Sequence, residues 1–302
     1  MNEQHAARIA SELGVSARQV SATATLLDDA CTVPFIARYR KEATGGLDEV
    51  AITAIRDRLA QLQVLDARRE AILKSLDEHG KLTDELRAKV MAAETLALLE
   101  DVYLPHRPKR RTRATLAKEK GLEPLADLLL AQREGGPAAA AAAYIDAEKG
   151  VECVEDALAG ARDILAERVA QDETARGHMR DLFKARATFR CKVVADKQAE
   201  PGAAKFRDYF DWEEPVAAAP SHRILAIRRG EEAGFLTFRI TPPEEEALPL
   251  LNRLFVKADN AASQQVRQAI QDGYKRLLCP SIETEARVGT KKRGISEGSL
   301  DV

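Results

Sequence analysis

The chain has 302 residues, of which 45% are hydrophobic, 31% charged and only 5% aromatic, and its 46 Lys and Arg against 48 Asp and Glu leave a formal net charge of -2. This is the composition of a soluble, charge-rich helical protein with enough chain to bury a sizeable core. It excludes a globally basic nucleic-acid binder, so any attraction to phosphate has to come from local patches.

Residues 6–27 read as two short helices around a turn: Gly14 suits the left-handed position that ends the first, and Ser16 suits the cap of the second. Ala10, Gly14 and Val20 match helix-turn-helix spacing, in which Ala permits close helix approach and Val20 packs behind it. An ordinary helical hairpin selects the same residues. The exposed candidates for base or phosphate contact on this element are Ser16, Arg18 and Gln19, followed by Ser21 and Thr23.

Val33-Pro34-Phe35-Ile36-Ala37-Arg38-Tyr39-Arg40-Lys41-Glu42 is succeeded by Thr44-Gly45-Gly46-Leu47-Asp48. Pro34 suits a first helical turn, the glycine pair breaks the chain, and Asp48 can cap a helix starting at the next residue. Two readings stand. Arg38, Arg40 and Lys41 beside Phe35 and Tyr39 could serve phosphate contact and stacking; alternatively Phe35, Ile36 and Tyr39 anchor a core while the cations pair with acids.

The spacing of Ile55, Leu59, Leu62, Leu65, Ile72, Leu73 and Leu76 predicts one long helix over residues 48–78, ended by Gly80. Thr83 and Thr95 each cap a further helix, the second finishing near Tyr103. A basic segment comes next. From His106 to Lys120 the cations Arg107, Lys109, Arg110, Arg111, Arg113, Lys118 and Lys120 face one acid, Glu119, so this stretch carries +6 and the remainder of the chain -8. Pro105 and Pro108 favour an extended arm, and Thr112 caps a short helix ended by Gly121. Pro124 opens another helix, Gly135-Gly136-Pro137 marks a loop, and helices are predicted over 138–143, 151–170 and 172–187.

After residue 188 the texture changes. Residues 189–194 alternate as a strand does, aromatics cluster over 205–212, and residues 224–227 and 235–240 read as a hairpin joined by a glycine-containing loop. A helix over 261–278 is expected to stop at Pro280, with another starting at Ser281, and 289–302 to be without fold. The fold class expected is mainly α: a multi-helical region over 1–188 with a helix-turn-helix-like element and the basic arm, a mixed segment over 189–286 with a small β hairpin, and a flexible tail over 287–302.

Taken together, several of these segments carry a resemblance. They are residues 9–20, the two motifs over 33–48, Leu99-Glu100-Asp101-Val102-Tyr103-Leu104-Pro105, Pro108-Lys109-Arg110-Arg111-Thr112 and Gly121-Leu122-Glu123-Pro124-Leu125-Ala126. To these are added Ala161-Arg162-Asp163-Ile164-Leu165-Ala166-Glu167, Lys205-Phe206-Arg207-Asp208-Tyr209-Phe210 and Pro220-Ser221-His222-Arg223. In this order, across residues 6–286, the chain resembles the N-terminal part of the Tex family. These are bacterial transcription accessory proteins, similar in architecture to a larger eukaryotic transcription elongation factor. The resemblance implies a helical N-terminal region that in the family is succeeded by a YqgF-like domain of the RNase H type, helix-hairpin-helix modules and a C-terminal OB-fold RNA-binding domain. The motifs of those later domains are not in this sequence, which therefore represents under half of such a protein, and after residue 286 it departs from the family pattern.

Catalysis is not expected. His5, His79, His106, His178 and His222 show no metal spacing, and there is no nucleophile elbow, P-loop or dinucleotide fingerprint. No cofactor or metal is expected either. Cys31, Cys153, Cys191 and Cys279 are far apart and suggest neither a disulfide framework nor a zinc site. The start lacks a signal peptide's apolar core and no stretch has the apolar length of a membrane span, which points to the cytoplasm.

The candidate nucleic-acid-binding residues are thus Arg107, Lys109, Arg110, Arg111 and Arg113 of the arm, Arg38, Arg40 and Lys41, and Ser16, Arg18 and Gln19. Five arm cations on five phosphates would give a salt slope of roughly 4.5 in magnitude on duplex DNA, which is non-specific binding to RNA or DNA. The alternative is a scaffold whose arm docks a partner domain or RNA polymerase.

Overall fold

The structure, a computed structural model, describes residues 2–107 and 111–298, with side chains as far as Thr290. The chain divides into two compact units, Met1–Arg107 and Pro108–Val302, a division that falls inside the basic segment and leaves residues on both sides of 188 in one unit. Each unit has its own apolar core.

The first unit consists of α1 (Glu3–Leu13), α2 (Ala17–Asp28), α3 (Val33–Tyr39), α4 (Lys41–Thr44), α5 (Glu49–Glu78), α6 (Asp84–Ala92) and α7 (Leu96–Tyr103). Its helix starts obey the expected capping chemistry. Asp48, Thr83 and Thr95 each accept a hydrogen bond from the backbone N–H three residues on, and Gly14 ends α1 with a φ of 66°. The spine is α5, whose 30 residues make a rod about 45 Å long. Ile52, Ile55, Leu59, Leu62, Leu65, Ile72 and Leu76 are buried along it, against Ile9 of α1, Val20 of α2, Ile36 of α3, Val90 of α6 and Leu99 of α7.

The second unit begins with α8 (Arg113–Glu119), α9 (Glu123–Ala131), α10 (Pro137–Ala142), α11 (Val154–Gln171) and α12 (Glu173–Arg186). It continues with β1 (Thr188–Val193), β2 (Asp211–Pro215), α13 (Ser221–Glu232), β3 (Leu236–Thr241), α14 (Glu244–Phe255), α15 (Ala261–Gly273) and α16 (Cys279–Gly298). At its centre α11 buries Ala157, Leu158, Ala161, Ile164, Leu165, Ala166 and Val169, surrounded by α8, α9, α10 and α15. The crossing with α15 depends on the absence of a side chain, since a Cβ on Gly273 would stand 2.7 Å from the Ala166 carbonyl oxygen.

The strands form one antiparallel sheet in the order β2-β1-β3. Phe189 and Cys191 of β1 and Leu236, Phe238 and Ile240 of β3 face the core, leaving Arg190, Lys192, Thr237 and Arg239 on the outer face. The small β element of the C-terminal part is therefore present, but it is not the hairpin expected over 224–240. Ile224 and Ile227 are buried three residues apart on helix α13, and β3 pairs with β1. Gly230 of α13 permits this packing, because a Cβ there would lie 2.5 Å from a methyl carbon of Leu236.

Two further expectations are corrected. The helix does not stop at Pro280: Tyr274–Leu278 is a single π turn between α15 and α16. The wider turn accommodates a proline ring that in a regular α-helix would meet the carbonyl of the residue four back. The tail expected to be without fold from residue 287 is helical as far as Gly298, beginning with Arg287, which donates to the Phe238 carbonyl at 2.8 Å, and Thr290, which is buried. Residues 299–302 lie outside the described residues.

Candidate nucleic-acid interface

The chain enters α2 through a reciprocal cap, in which the Ser16 hydroxyl accepts from the Gln19 N–H at 3.3 Å and the Gln19 side-chain oxygen accepts from the Ser16 N–H at 3.0 Å. The Gln19 amide nitrogen then donates to the Thr44 carbonyl at 3.1 Å, tying α2 to the end of α4. Gly45 has a φ of 66°, and a Cβ there would stand 3.0 Å from that same nitrogen. Of the contact residues offered by the sequence, Ser16 is thus engaged in the cap of α2, Gln19 in that cap and in tying α2 to α4, and Thr23 is buried. Arg18 is exposed.

On α3 the burial pattern separates the two readings of that motif. Ile36 and Ala37 belong to the core, whereas Phe35 is 39% and Tyr39 67% exposed. These two residues are four apart on one helical face, and their ring centroids lie 5.4 Å apart at an interplanar angle of 41°. The Arg40 guanidinium carbon lies 5.6 Å from the Phe35 ring centroid. Arg38 has only a 3.8 Å approach to Glu49, both exposed, and Lys41 is exposed at the start of α4. The Gln19 contact packs α2, which carries Arg18, against α4, which Lys41 opens.

The basic arm begins as a turn rather than as an extended strand. The Tyr103 carbonyl at the end of α7 accepts from the N–H groups of His106 at 2.9 Å and Arg107 at 3.0 Å, and Lys81 donates to the His106 carbonyl at 3.1 Å. Arg107 is exposed. Pro108, Lys109 and Arg110 lie outside the described residues. Beyond them Thr112 caps α8 by accepting from the Thr115 N–H at 3.0 Å, with Arg111 and Arg113 exposed on either side.

Several cations of the +6 segment are engaged locally. Arg111 pairs with Glu119 at 2.8 Å, Lys118 with Glu123 at 2.8 Å, and Lys120 donates to the Gly150 carbonyl at 2.7 Å. Hydrogen bonds from Lys118 and then Arg168 hold the Glu123 carboxyl below its usual range.

One charged surface has no counterpart among the sequence expectations. A cavity of about 330 Å³ on the outer face of the sheet is lined by Arg190, Lys192, Thr237, Phe238, Arg239 and Thr241. Arg190 and Arg239 are directly opposed across the strands, and each is answered by a carboxylate, Glu213 at 3.1 Å and Glu283 at 2.8 Å. The period-two placement of cations and threonines in β1 and β3 is the signal that would have found it. Among the described residues no group of three or more His, Cys, Asp or Glu could hold a metal ion. Cys191 is buried in the core, and that burial pushes its thiol up to about 11. Among the same residues no helix is long and apolar enough to cross a membrane.

Residues 132–294 match the family described as Tex central region-like, and residues 3–77 match the Tex-like protein N-terminal domain. The chain is 42% identical over 312 residues to Protein YhgF of Escherichia coli K12, covering all of this chain and 40% of that protein. It is 49% identical over 234 residues to Protein tex of Bordetella pertussis, covering 78% of this chain and 29% of that protein. It is 42% identical over 286 residues to the transcriptional accessory protein Tex of Neisseria gonorrhoeae, covering 92% and 37%. The chain thus spans less than half the length of each of these relatives.

Proposed function

We propose that this chain, which belongs to the Tex family, is the nucleic-acid-binding N-terminal part of a cytoplasmic transcription accessory protein. It acts by non-specific phosphate contact rather than by catalysis. The reading is supported by exposed cations in a chain of net negative charge: Arg107, Arg111 and Arg113 of the basic segment, and Arg18, Arg38, Arg40 and Lys41 around α3. The transcription role rests on the name of the gonococcal relative.

Binding of this kind is weak, indifferent to sequence and steeply dependent on salt. The test is a titration of the 302-residue chain with labelled single-stranded RNA, single-stranded DNA and duplex DNA across a salt series. Binding that fades with salt and weakens in the Arg110→Glu, Arg111→Glu double variant supports the proposal. No binding at low salt, or binding indifferent to the reversal, overturns it.

A second reading has its own observation. Arg111 and Lys118 of the basic segment already hold carboxylates, those of Glu119 and Glu123, so the segment equally suits docking of acidic protein surfaces, RNA polymerase among them. Retention of RNA polymerase on the immobilised chain, lost in the same double variant while nucleic-acid affinity is unchanged, would favour it.

A further inference from the structure

We propose that Phe35 and Tyr39 form a stacking platform for the bases of single-stranded nucleic acid, with Arg38, Arg40 and Lys41 holding the flanking phosphates. This rests on the nucleic-acid reading above and narrows it to a site and a strand state.

The chain has one Trp, five Tyr and eight Phe. All fall within the described residues, and Phe35 and Tyr39 are the two that stand exposed; every other aromatic is buried or half-buried. Helix α3 is already anchored by Ile36 and Ala37, so the fold does not need the two rings for its core. They are presented as a pair by their four-residue spacing, with 5.4 Å between centroids. The Arg40 guanidinium lies near the Phe35 ring, while Tyr39 is the more open of the two. The arrangement is an apolar π surface with exposed positive charge beside it.

Charge complementarity selects the occupant. Within residues 38–41 there are three cations and no acid. The nearest carboxylate to Arg38, that of Glu49, is 3.8 Å away with both groups largely in water, where such a pair holds its partners weakly. A single strand offers what fits: π faces at a regular spacing, joined by phosphates. In a duplex the bases are already stacked on one another and only the phosphates remain for the cations. Stacking on an aromatic tolerates any base, as every base has a π face.

The experiment uses the whole chain with two probes of equal length, a labelled oligo(dT) and a mixed-sequence duplex. Loss of stacking in Tyr39→Ala, and more so in the Phe35→Ala, Tyr39→Ala double variant, is expected to weaken oligo(dT) binding about 5- to 150-fold per base released. Duplex binding should stay within about 2-fold. Tyr39→Phe keeps the ring and should restore single-strand binding. Both side chains are exposed, so the variants should melt with the wild type, which separates loss of binding from loss of fold. If the chain binds both probes and Tyr39→Ala leaves oligo(dT) affinity unchanged, the platform is overturned while the phosphate reading stands. If neither probe binds, both fall. An equal loss on both probes also overturns the platform, since it would mean that the rings do not distinguish the strand states.

Discussion

The carboxylate of Glu283 accepts a hydrogen bond from the backbone N–H of Ile240 at 2.9 Å, so that a buried side chain of α16 occupies the free edge of β3. The same carboxylate receives Arg239 in a two-point contact. One helical turn on, Arg287 donates to the Phe238 carbonyl at 2.8 Å, and its guanidinium lies 4.1 Å from the Phe238 ring centroid. Two residues of the helix thus satisfy backbone groups that an edge strand would otherwise offer to another chain.

Glu283→Ala should lose about 1–3 kcal/mol of stability, the cost of leaving a buried donor without its acceptor. Urea unfolding measures it. Glu283→Gln should lose less, because its amide oxygen still accepts from Ile240. The alanine variant should also show greater self-association in light scattering.

Gly273→Ala should destabilise the second unit by about 1–3 kcal/mol, because the new methyl group meets Ala166 backbone that has nowhere to move. Gly177→Ala is the contrast. It lies inside α12 with open space where its Cβ would stand, so the better helix former should be neutral or stabilising by up to about 1 kcal/mol. Thermal melts of the two variants should move in opposite directions.

Glu12 ties α1 to α5 through Arg58, with bonds of 2.6 and 2.8 Å, and to Arg8 at 3.0 Å. The Arg58 hydrogen bond, helped by Arg8, lowers the Glu12 carboxyl from 4.5 to about 2. A carboxylate depressed in the folded state contributes stability above its unfolded pKa and loses it as pH falls through the folded one. The contribution should therefore be complete above about pH 4.5 and disappear towards about pH 2. Glu12→Gln should be less stable than the wild type at pH 6, and the difference in urea midpoint should shrink on acidification across that window.

The exposed Arg111–Glu119 pair competes with phosphate for Arg111, and freeing that one cation is worth up to about 0.9 in the magnitude of the salt slope on duplex DNA. Glu119→Gln releases Arg111 and should steepen the slope by up to that amount. Affinity measured at several salt concentrations reads the slopes of both proteins.

Much of the first unit is legible in advance because its signals are local. Caps at Ser16, Asp48, Thr83 and Thr95 and the apolar stripe of α5 depend on residues within a turn or two of one another. A hairpin over 224–240 is a false expectation because a short apolar run fits a strand or a buried helix equally well. Only the pairing of β3 with β1, some 45 residues earlier, decides between them. Pro280 reads as a stop because a π turn leaves no mark in composition.

The same division runs through the candidate site. The helical class, the capped helix starts and the local +6 charge are properties of neighbours along the chain, and the order of the residues is enough to set them. Whether a side chain faces the core or water is settled by what packs against its helix from elsewhere. It therefore takes the folded chain to bury Ile36 while Phe35 and Tyr39 stand open, and to have Gln19 fasten α2 to α4. The same long-range packing brings Arg168 of α11 to Glu123 and Asp127 of α9.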